Sequence, residues 1–330
     1  MNVVIASVAI CTQNRADSLA RTLESLCGME HVPSSVYEVV IVDNGSTDHT
    51  RKVCNAFAAR LRIRYFFEGQ RGLSIARNRA IREACGRYIC WTDDDVTVDR
   101  GWLHAYLRSF AKYAEAAFFG GKITPLLEAP AIQWFAQNYR EEPLHYLVAL
   151  RDLGAEEFLF DNMHMPFGAN YAIRMDAQRR FLYDHELGVQ PGRNRVGEET
   201  AVIKSMMGAG LRGYWIPAAE VFHHISRERQ SLQYVEEYFL RHGETSAYLS
   251  GHLGRRSVFG APAWVWRSYA ESLCGYYWAR AVRDPKVWLL RLRDLGMARG
   301  QLKYYLRERS NSRLRARLLQ APAGRRAHGE

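Results

Sequence analysis

Short apolar runs alternate with amphipathic stretches over roughly the first 125 residues. The runs at 3–10, 37–42, 63–67 and 88–91 have the length and the side-chain types of buried strands. The stretches that separate them have apolar residues at helical spacing. Repeated strand-and-helix units of this kind predict an α/β fold with a mostly parallel, Rossmann-like sheet flanked by helices.

Two predicted helices have recognisable ends. Asp17 is the predicted N-cap of the first, because an Asp side chain there accepts hydrogen bonds from free backbone N–H groups. The second spans 75–85, and Gly86 follows it at the C′ position that favours a left-handed residue. Arg77 and Asn78 are therefore expected in the first turn of that helix, where backbone N–H groups attract anions.

Beyond this region the alternation is harder to follow. The segment 167–173 predicts a strand entered through Gly168, and 198–208 predicts the start of a helix. Further on, charged and aromatic residues at helical spacing over 232–242 and 288–309 predict a helical carboxyl-terminal extension. The last residues are rich in Gly, Ala and Arg, lack periodicity and are expected to be a disordered tail.

Length and composition narrow the class of protein. With 330 residues, of which 48% are hydrophobic, the chain can form one large α/β domain and a smaller appendage. Its six cysteines are scattered without a CxxC pair, which favours a reducing compartment. The amino terminus lacks a basic signal-peptide region, and no apolar stretch reaches the ~20 residues that cross a bilayer. We therefore expect a cytoplasmic protein, at most peripheral at the inner face of the cytoplasmic membrane.

The formal net charge of +10 is concentrated towards the carboxyl end. In the same region, aromatic residues are interleaved with arginines: Trp264, Trp266, Tyr276, Tyr277, Trp278, Arg280, Arg283, Trp288 and Arg291. This mixture is typical of surfaces that bind anionic lipid, but a helical cap with aromatic core residues has the same composition. Nucleic-acid binding is disfavoured, because the sequence has no zinc module, helix-turn-helix or RNA-recognition signature.

Three consecutive acids, Asp93, Asp94 and Asp95, follow the strand predicted at 88–91. Open α/β sheets bind their ligands at the carboxyl ends of such strands. Adjacent carboxylates repel one another, and either a divalent cation or full solvation offsets that repulsion. The acids alone therefore indicate either a Mg²⁺ or Mn²⁺ site that also contacts phosphate oxygens, or a solvated acidic turn.

Four ordered motifs decide between these interpretations. They are ICTQNR at 10–15, VDNGSTD at 42–48, GLSIARN at 72–78 and WTDDD at 91–95. Together they resemble the family 2 glycosyltransferases, and the resemblance covers roughly residues 3–230. It implies the GT-A fold, a nucleotide-sugar donor and a divalent cation, Mn²⁺ or Mg²⁺, as cofactor.

The resemblance also implies roles for individual residues. Thr12, Arg15 and Asp43 match residues that line the nucleotide pocket, where the aspartate reads the edge of the base. An Asp at a strand end can accept hydrogen bonds from a base N–H, although it can also open the Asn-Gly turn that follows it. Arg77 and Asn78 are expected to contact the diphosphate near a helix amino terminus.

The family's Asp-x-Asp motif implies that Asp95 binds the metal. Asp93 is expected on the nucleotide side with a further contribution to the metal site, and Asp94 is expected among the nucleotide-binding residues close to both. Downstream, His223 matches a histidine that approaches the metal, and Arg229 matches an arginine that approaches the diphosphate. A neutral imidazole can complete a metal shell, but adjacent histidines are as often structural.

The sequence GEET at 197–200 resembles the Glu-Asp motif that holds the family's catalytic base, with Glu replacing the usual second Asp. Glu199, or Glu198 in its place, is therefore expected to remove a proton from the acceptor hydroxyl, which requires an approach of ~3 Å. The resemblance implies inversion at the anomeric carbon. It also implies that the segment from Gly168 to Asn170 borders the donor sugar and the acceptor.

We therefore assign residues 1–230 to a GT-A catalytic domain, with a nucleotide-binding part at 1–125 and an acceptor part at 126–230. Residues 231–330 form the helical, basic and aromatic region. The implied function is transfer of a sugar from a nucleotide-diphosphate sugar, with UDP as the family-based expectation, to a hydroxyl of a glycan or lipid-linked acceptor. Such reactions build cell-surface polysaccharides and glycoconjugates.

Two alternatives stay open. A sugar-phosphate nucleotidyltransferase has a similar sheet and acidic cation site, but the closely spaced glycines of its phosphate loop are missing after the first strand. The other alternative is a basic membrane-binding or nucleic-acid-binding protein with an inactive transferase fold. The substitution of Glu for Asp in the predicted base motif is the feature that suggests it.

Overall fold

The computed structural model describes residues 4–251, 257–282 and 284–320. Contacts within the chain divide it into two compact units, Met1–Val235 and Glu236–Glu330. The first unit begins with the predicted order of strands and helices. Its elements up to the acidic cluster are β1 (Ala6–Thr12), α1 (Ala16–Cys27), β2 (Tyr37–Asp43), α2 (Thr50–Phe57), β3 (Ile63–Phe67), α3 (Leu73–Glu83) and β4 (Tyr88–Thr92).

The remainder of the first unit adds shorter elements and two long strands. They are β5 (Val96–Val98), α4 (Trp102–Lys112), β6 (Phe118–Leu127), α5 (Gln133–Asn138), α6 (Leu144–Leu147), β7 (Phe158–Leu159), β8 (Asn170–Arg174), α7 (Met175–Arg180), β9 (Val189–Gln190), β10 (Arg193–Asn194), α8 (Glu198–Gly208) and β11 (Gly213–Ile225). A 3₁₀ turn, Glu228–Gln230, follows β11.

Nine strands of the described chain form one mixed sheet. Its order is β3-β2-β1-β4-β8-β6-β11-β5, and β7 pairs with β11. The strands β3, β2, β1 and β4 are parallel, as are β6 and β11, whereas β8 and β5 run antiparallel to their neighbours. The predicted α/β class with a mostly parallel sheet is confirmed.

The central strands are buried on both faces, as expected of a sheet covered by helices on each side. One face packs against leucines of α1 and aromatic residues of α4. The opposite face packs against small apolar residues of α3 and against the apolar side of α8. Because β1, β2 and β4 are parallel, their carboxyl ends meet at one edge. The residues predicted to bind the nucleotide and the metal from this part of the chain lie at or just after those ends: Thr12, Arg15, Asp43, Asp93, Asp94 and Asp95.

The predicted N-cap of α1 is wrong. Arg15 occupies the cap position, and the backbone N–H of Ala16 donates to Oδ2 of Asp48 at 3.0 Å. Asp17 instead lies in the first turn. Oδ1 of Asp48 accepts from the backbone N–H of Thr50 at the start of α2, also at 3.0 Å. One carboxylate therefore caps two helices, and for α1 it comes from a distant loop rather than from the local sequence.

The predicted ends of α3 are also corrected. The helix begins two residues earlier than predicted, so Arg77 and Asn78 lie in its second turn rather than its first. At the other end, Ala84 leaves the helix in an extended conformation. Gly86 is needed for a different reason, because a Cβ there would lie 2.6 Å from the backbone nitrogen of Ser7. Close approach of two strands, and not helix termination, requires this glycine.

The strand that was predicted to begin at residue 167 begins at Asn170 instead. The Asn170 side chain is fully buried and uses all of its hydrogen-bonding capacity. Its Oδ1 accepts from Trp102 Nε1 at 2.9 Å and from the Tyr106 hydroxyl at 2.7 Å, both on α4. Its Nδ2 donates to the carbonyl oxygens of Lys122 and Ala219 at 2.9 and 2.7 Å. Asn170 is thus a structural centre of the sheet.

The second unit is built mainly from helices, which confirms the predicted extension. Its elements are α9 (Leu232–Ser250), which begins in the last residues of the first unit, β12 (Ser257–Val258), β13 (Ala261–Pro262), α10 (Ala263–Val282) and α11 (Pro285–Gln320). The predicted disordered tail lies outside the described residues. Among the helices that are described, none is both long and apolar enough to span a bilayer.

Glycines allow α9 and α11 to approach closely within the second unit. A Cβ added at Gly300 would lie 2.0 Å from the carbonyl oxygen of Leu240, and one at Gly243 would lie 2.1 Å from that of Met297. Gly296, one helical turn before Gly300, also lacks room for a side chain. The two backbones therefore touch directly, which only glycine permits at these positions.

Candidate active site

The three consecutive acids lie in the loop between β4 and β5, at the carboxyl edge of the parallel strands. Asp94 is buried, and its carboxylate accepts hydrogen bonds from the Thr12 hydroxyl at 2.7 Å and from Nη1 of Arg15 at 2.8 Å. Thr12 is the last residue of β1, the neighbouring strand, and Arg15 follows that strand. Three residues predicted to bind the nucleotide are therefore brought together, and Asp94 links the other two.

Asp95 lies beside them and is held by two arginines. Its Oδ2 is 2.9 Å from Nη1 of Arg15 and 2.8 Å from Nη2 of Arg229. Its Oδ1 is buried and has no hydrogen-bond partner among the described residues. Although burial opposes it, the Arg229 guanidinium, supported by Arg15, holds the pKa of Asp95 well below its usual range. Asp95 is thus an ionised carboxylate with one unpaired oxygen.

The predicted metal ligand His223 is buried and already has two partners. Its Nδ1 lies 2.9 Å from the carbonyl oxygen of Val148 and must donate to it, which makes Nε2 the acceptor. Nε2 lies 3.0 Å from Nη1 of Arg229 and 3.5 Å from Oδ1 of Asp95. The predicted set of Asp93, Asp95 and His223 is therefore not preformed as a metal centre. In the described part of the chain, no three His, Cys, Asp or Glu side chains form one.

A second cluster surrounds Arg77. Its guanidinium is buried, with Nη1 at 2.9 Å from Oε1 of Glu198 and 3.8 Å from Oε2 of Glu199. Its Nη2 lies 3.7 Å from Oδ1 of Asp93. The two glutamates open α8, so this arginine connects the acidic loop after β4 to the predicted catalytic base. The structure brings all four predicted residues together.

The two predicted bases differ in their surroundings. Glu198 is buried and forms the shorter ion pair with Arg77. The Glu199 side chain is 20% exposed. Burial and the neighbouring Glu198 raise the pKa of the Glu199 carboxyl to about 7, although Arg77 opposes them. A Cβ at Gly168 would lie 3.2 Å from Cδ of Glu199, so the predicted Gly168 segment borders this carboxyl.

Asp43 has the turn-forming role that the sequence offered, and its contact with the base of the nucleotide stays a prediction. Its Oδ1 accepts from the backbone N–H of Ser46 at 2.8 Å, which stabilises the turn after β2. Its Oδ2 accepts from the Tyr65 hydroxyl at 2.6 Å. Tyr65 was not predicted from the sequence, although it lies on β3, which pairs in parallel with β2. The alternation of side chains along two predicted neighbouring strands is the signal that locates it beside Asp43.

Two aromatic residues around Arg77 were also missed. The guanidinium carbon lies 5.8 Å from the ring centroid of Trp91 and 5.4 Å from that of Tyr183. Such contacts stabilise a buried cation. Trp91 ends the apolar run before the acids, which indicates its position, whereas Tyr183 comes from an irregular segment that the sequence pattern does not place.

Asn78 has a structural role within the fold. Its Nδ2 donates to the carbonyl oxygen of Tyr183 at 2.8 Å, and its Oδ1 accepts from the backbone N–H of the same residue at 2.9 Å. The side chain is buried, and both ends of the amide are engaged. Asn78 therefore fixes the segment that carries Tyr183 against α3, and its predicted contact with a diphosphate stays a prediction.

A cavity of about 650 Å³ opens beside Asp95, between the start of α1 and the end of β11. Arg15 and Arg229 face it, and Leu126 and Ile225 form part of an apolar wall. The volume is within the range of small-molecule sites. The two arginines thus contact Asp95 and line a space large enough for an anionic ligand.

The acids fit a divalent cation that is held jointly with a substrate. Mg²⁺ is usually bound by one or two carboxylates together with substrate phosphates, rather than by a complete protein cage. The unpaired Oδ1 of Asp95 and the 39% exposed side chain of Asp93 are suitable oxygen donors. Five carboxylates share the two clusters with three guanidinium groups, and a divalent cation would offset the excess negative charge. These residues are Asp93, Asp94, Asp95, Glu198, Glu199, Arg15, Arg77 and Arg229.

The sheet order and the acidic loop after β4 define a GT-A fold. The structure of GalNAc-T7 with UDP, GalNAc and Mn²⁺ matches with a TM-score of 0.52 and 17% identity, over 77% of this chain and 52% of that chain. The mannosyltransferase PcManGT from Pyrobaculum calidifontis, in complex with GDP-Man and Mn²⁺, matches with a TM-score of 0.50 and 17% identity, over 96% and 81% of the respective chains. At this identity the likeness establishes the fold alone.

The chain belongs to glycosyl transferase family 2. The sequence model of that family matches residues 7–179, which is more than half of the chain. The matched region contains all four motifs and the three consecutive acids. The predicted family is confirmed.

Characterised relatives differ in the part of the chain they cover. Validoxylamine A glucosyltransferase from Streptomyces hygroscopicus subsp. limoneus is 29% identical over 180 residues, which are 50% of this chain and 40% of the relative. The succinoglycan biosynthesis protein ExoM from Rhizobium meliloti (strain 1021) is 25% identical over 244 residues, 73% of this chain and 74% of the relative. The chain thus spans less than half the length of the glucosyltransferase.

Proposed function

We propose that this protein is an inverting, metal-dependent glycosyltransferase that moves a sugar from a nucleoside-diphosphate sugar to a hydroxyl of a glycan or lipid-linked acceptor. The observation that carries the proposal is the unequal environment of two adjacent glutamates. Glu198 is paired with Arg77 at 2.9 Å, whereas the pKa of Glu199 is raised to about 7. A carboxyl whose pKa is raised towards neutral is typical of a site that contains a general acid or base.

In the proposed reaction, the Glu199 carboxylate removes the proton of the acceptor hydroxyl. The resulting oxygen attacks the anomeric carbon of the donor as the bond from that carbon to the diphosphate oxygen breaks. The electron pair of the broken bond leaves with the nucleoside diphosphate. One displacement of this kind inverts the anomeric configuration and needs no covalent intermediate with the protein.

Arginines of the site are suited to the departing group. Arg15 and Arg229 face the cavity, and both are already close to carboxylate oxygens of the acidic loop. Fixed positive charge at the place where negative charge grows lowers the barrier of such a transfer. When bound by Asp95 and Asp93, a divalent cation supplies further neutralisation of the diphosphate. Asp43, which accepts a hydrogen bond from the Tyr65 hydroxyl, is the proposed contact for the edge of the nucleobase.

The comparisons support the substrate class without fixing the substrate. The solved structures of GT-A neighbours hold UDP or GDP-Man together with Mn²⁺, and one relative is a succinoglycan biosynthesis protein. We propose a UDP-sugar as donor and a place in the synthesis of a cell-surface polysaccharide or glycoconjugate.

A thermal-shift panel tests donor and cation together. Nucleotide sugars with UDP, GDP, dTDP and CMP are added to the full chain with and without Mn²⁺. A ligand that binds only the folded state raises the midpoint of unfolding. At a ligand concentration of a hundred times the dissociation constant, it raises the free energy of unfolding by about 2.7 kcal/mol. We expect one donor to raise the midpoint in the presence of Mn²⁺ and Asp95→Asn to abolish that rise.

The matched control is Asp176→Asn, because Asp176 is an exposed carboxylate paired with Arg174 away from the acidic loop. It is expected to keep the wild-type response. If no nucleotide sugar stabilises the protein, or if Asp95→Asn responds as the wild type does, the proposed site is wrong. Release of pyrophosphate from a nucleoside triphosphate and a sugar phosphate points instead to a nucleotidyltransferase.

A further inference from the structure

The second unit carries large aromatic side chains on its surface. On α10, Trp264 is 51% exposed and Trp278 is 66% exposed. They lie four helical turns apart, so both project from one face across about 21 Å. Between them, the same face carries Arg267 and Glu271, which form an ion pair at 2.8 Å, and the exposed Cys274. The face has tryptophans at both ends and no net charge between them.

The hairpin before α10 ends in an exposed phenylalanine. Phe259, in the turn between β12 and β13, is 80% exposed and has a φ of 49°. A bulky residue rarely adopts this left-handed conformation, which glycine and asparagine occupy most easily. The indole N–H of Trp266 donates to the carbonyl oxygen of Val258 at 2.8 Å, which fixes the hairpin to α10. The Phe259 ring is thus held outward at a conformational cost that burial within the described chain does not offset.

The net charge of the chain belongs wholly to this unit. Residues 1–235 contain 27 basic and 27 acidic side chains, whereas residues 236–330 contain 18 basic and 8 acidic ones. Several of the basic side chains are exposed on α10 and α11: Arg280, Lys286, Arg291 and Arg299. A unit of this charge attracts an anionic surface within a Debye length.

We propose that the Phe259 hairpin and the exposed face of α10 dock on an anionic lipid surface. Tryptophan and phenylalanine are the side chains that bind at the boundary between headgroups and acyl chains, and basic residues add attraction to anionic headgroups. Bases of a single-stranded nucleic acid also stack on aromatic rings, but the face between the two tryptophans has no net charge with which to follow a phosphate backbone. An anionic lipid surface offers an apolar layer to the aromatic rings and negative charge to the basic side chains.

Vesicle flotation tests the proposal on the full chain without any donor or acceptor. Vesicles of phosphatidylcholine alone are compared with vesicles that also contain phosphatidylglycerol. We expect the protein to float with the anionic vesicles, to stay behind with the neutral ones, and to be released by high salt because screening weakens the attraction. Flotation with neither kind of vesicle overturns the proposal.

Substitutions of the docking residues separate insertion from simple charge attraction. Trp278→Ser and Phe259→Asn are each expected to weaken binding about tenfold, because each removes one buried ring. Phe259→Asn also suits the left-handed turn, so its unfolding midpoint should equal or exceed that of the wild type. Met163→Ser is the matched control, since Met163 is 82% exposed in the first unit. It should bind as the wild type does.

Two outcomes contradict the proposal even when the protein binds vesicles. If Trp278→Ser and Phe259→Asn, shown to be folded by circular dichroism, bind as tightly as the wild type, these rings do not insert. If an RNA or DNA oligonucleotide binds more tightly than the anionic vesicles, the basic unit serves a nucleic acid. Neither outcome affects the donor-binding test of the proposed transferase site.

Discussion

Arg77 makes two adjacent glutamates unequal. It lies 2.9 Å from Glu198 and 3.8 Å from Glu199, and its own charge is enclosed by the rings of Trp91 and Tyr183. The closer glutamate therefore serves as the counter-ion, and the farther one keeps a carboxyl that titrates near neutral pH. This division of roles depends on an arginine whose sequence position is 121 residues away from Glu198.

Replacing the proposed base tests this division. We expect Glu199→Gln to lower kcat about 10²–10⁴-fold with a donor that binds in the thermal-shift panel, because the amide cannot accept the proton of the acceptor. Donor affinity should change little. Glu24→Gln is the control, since Glu24 forms an exposed ion pair with Arg60. Wild-type turnover by Glu199→Gln shows that another group is the base.

The titration of Glu199 predicts a pH dependence. Below about 7 its carboxyl is protonated and cannot accept a proton, whereas above about 7 it is ionised. We expect kcat/KM to rise with pH through that value and then to level off, when it is measured with enzyme that stays folded throughout. A profile that is flat across this range, or one that falls with rising pH, contradicts the assignment.

Replacing Asn78 tests whether its amide stabilises the fold or binds the donor. Because its amide makes two buried hydrogen bonds to Tyr183, Asn78→Ala should lower the free energy of unfolding by about 1–3 kcal/mol. Urea unfolding measures the change, with Asn55→Ala on the exposed side of α2 as the control. A variant of wild-type stability that binds the donor weakly supports the diphosphate contact instead.

Among the elements, the sequence pattern predicts some bounds well. The strand at 63–67 and the helix at 198–208 have the bounds of β3 and α8, because periodic apolar residues are delimited there by turn residues. The cap of α1 could not be predicted, because Asp48 lies 32 residues from Ala16, the residue whose backbone N–H donates to it. The hydrogen bonds between Asn78 and Tyr183 join residues 105 positions apart, so no local sequence pattern predicts them.

The same limit applies to the candidate site. The strand pattern places the three acids at the carboxyl edge of the parallel strands. The family resemblance adds Arg77 and the two glutamates to the same site. They do not show which acids are already paired. The contact of Arg15 with Asp94 and the hydrogen bond of His223 with Val148 depend on loops and strands that meet only in the folded chain.

The close crossing of α9 and α11 predicts that two glycine-to-alanine substitutions change the stability of the protein in opposite directions. Gly300→Ala should lower the unfolding midpoint of the protein, because the added methyl group would lie 2.0 Å from the backbone oxygen of Leu240. Gly275→Ala, in the interior of α10, is the matched control. Its nearest neighbour is Cδ of Arg291 at 3.6 Å, so helix propensity should raise stability by up to about 1 kcal/mol. Equal effects of the two substitutions contradict the close crossing.

At the scale of the whole molecule, the proposed donor site and the proposed lipid-docking surface belong to different units. Every residue assigned to the donor site precedes the end of the first unit at Val235. We expect the binding of a nucleoside diphosphate with Mn²⁺ to slow amide hydrogen exchange around the acidic loop and the start of α8. The helices α10 and α11 should exchange as before. Protection confined to those helices contradicts a donor site built from the first unit.

Asn170 also has a consequence for redesign of the protein. A Cβ at Gly121 would lie 2.4 Å from Nδ2 of Asn170 and 2.0 Å from the carbonyl oxygen of Ala219, so the amide and the missing side chain occupy one space. A substitution of Asn170 leaves buried hydrogen-bonding groups without partners. A substitution of Gly121 makes atoms overlap. A mutational library that seeks a new donor should therefore keep this pair fixed. It can vary lining residues of the cavity that hold neither Asp95 nor a helix start, such as the exposed Leu126.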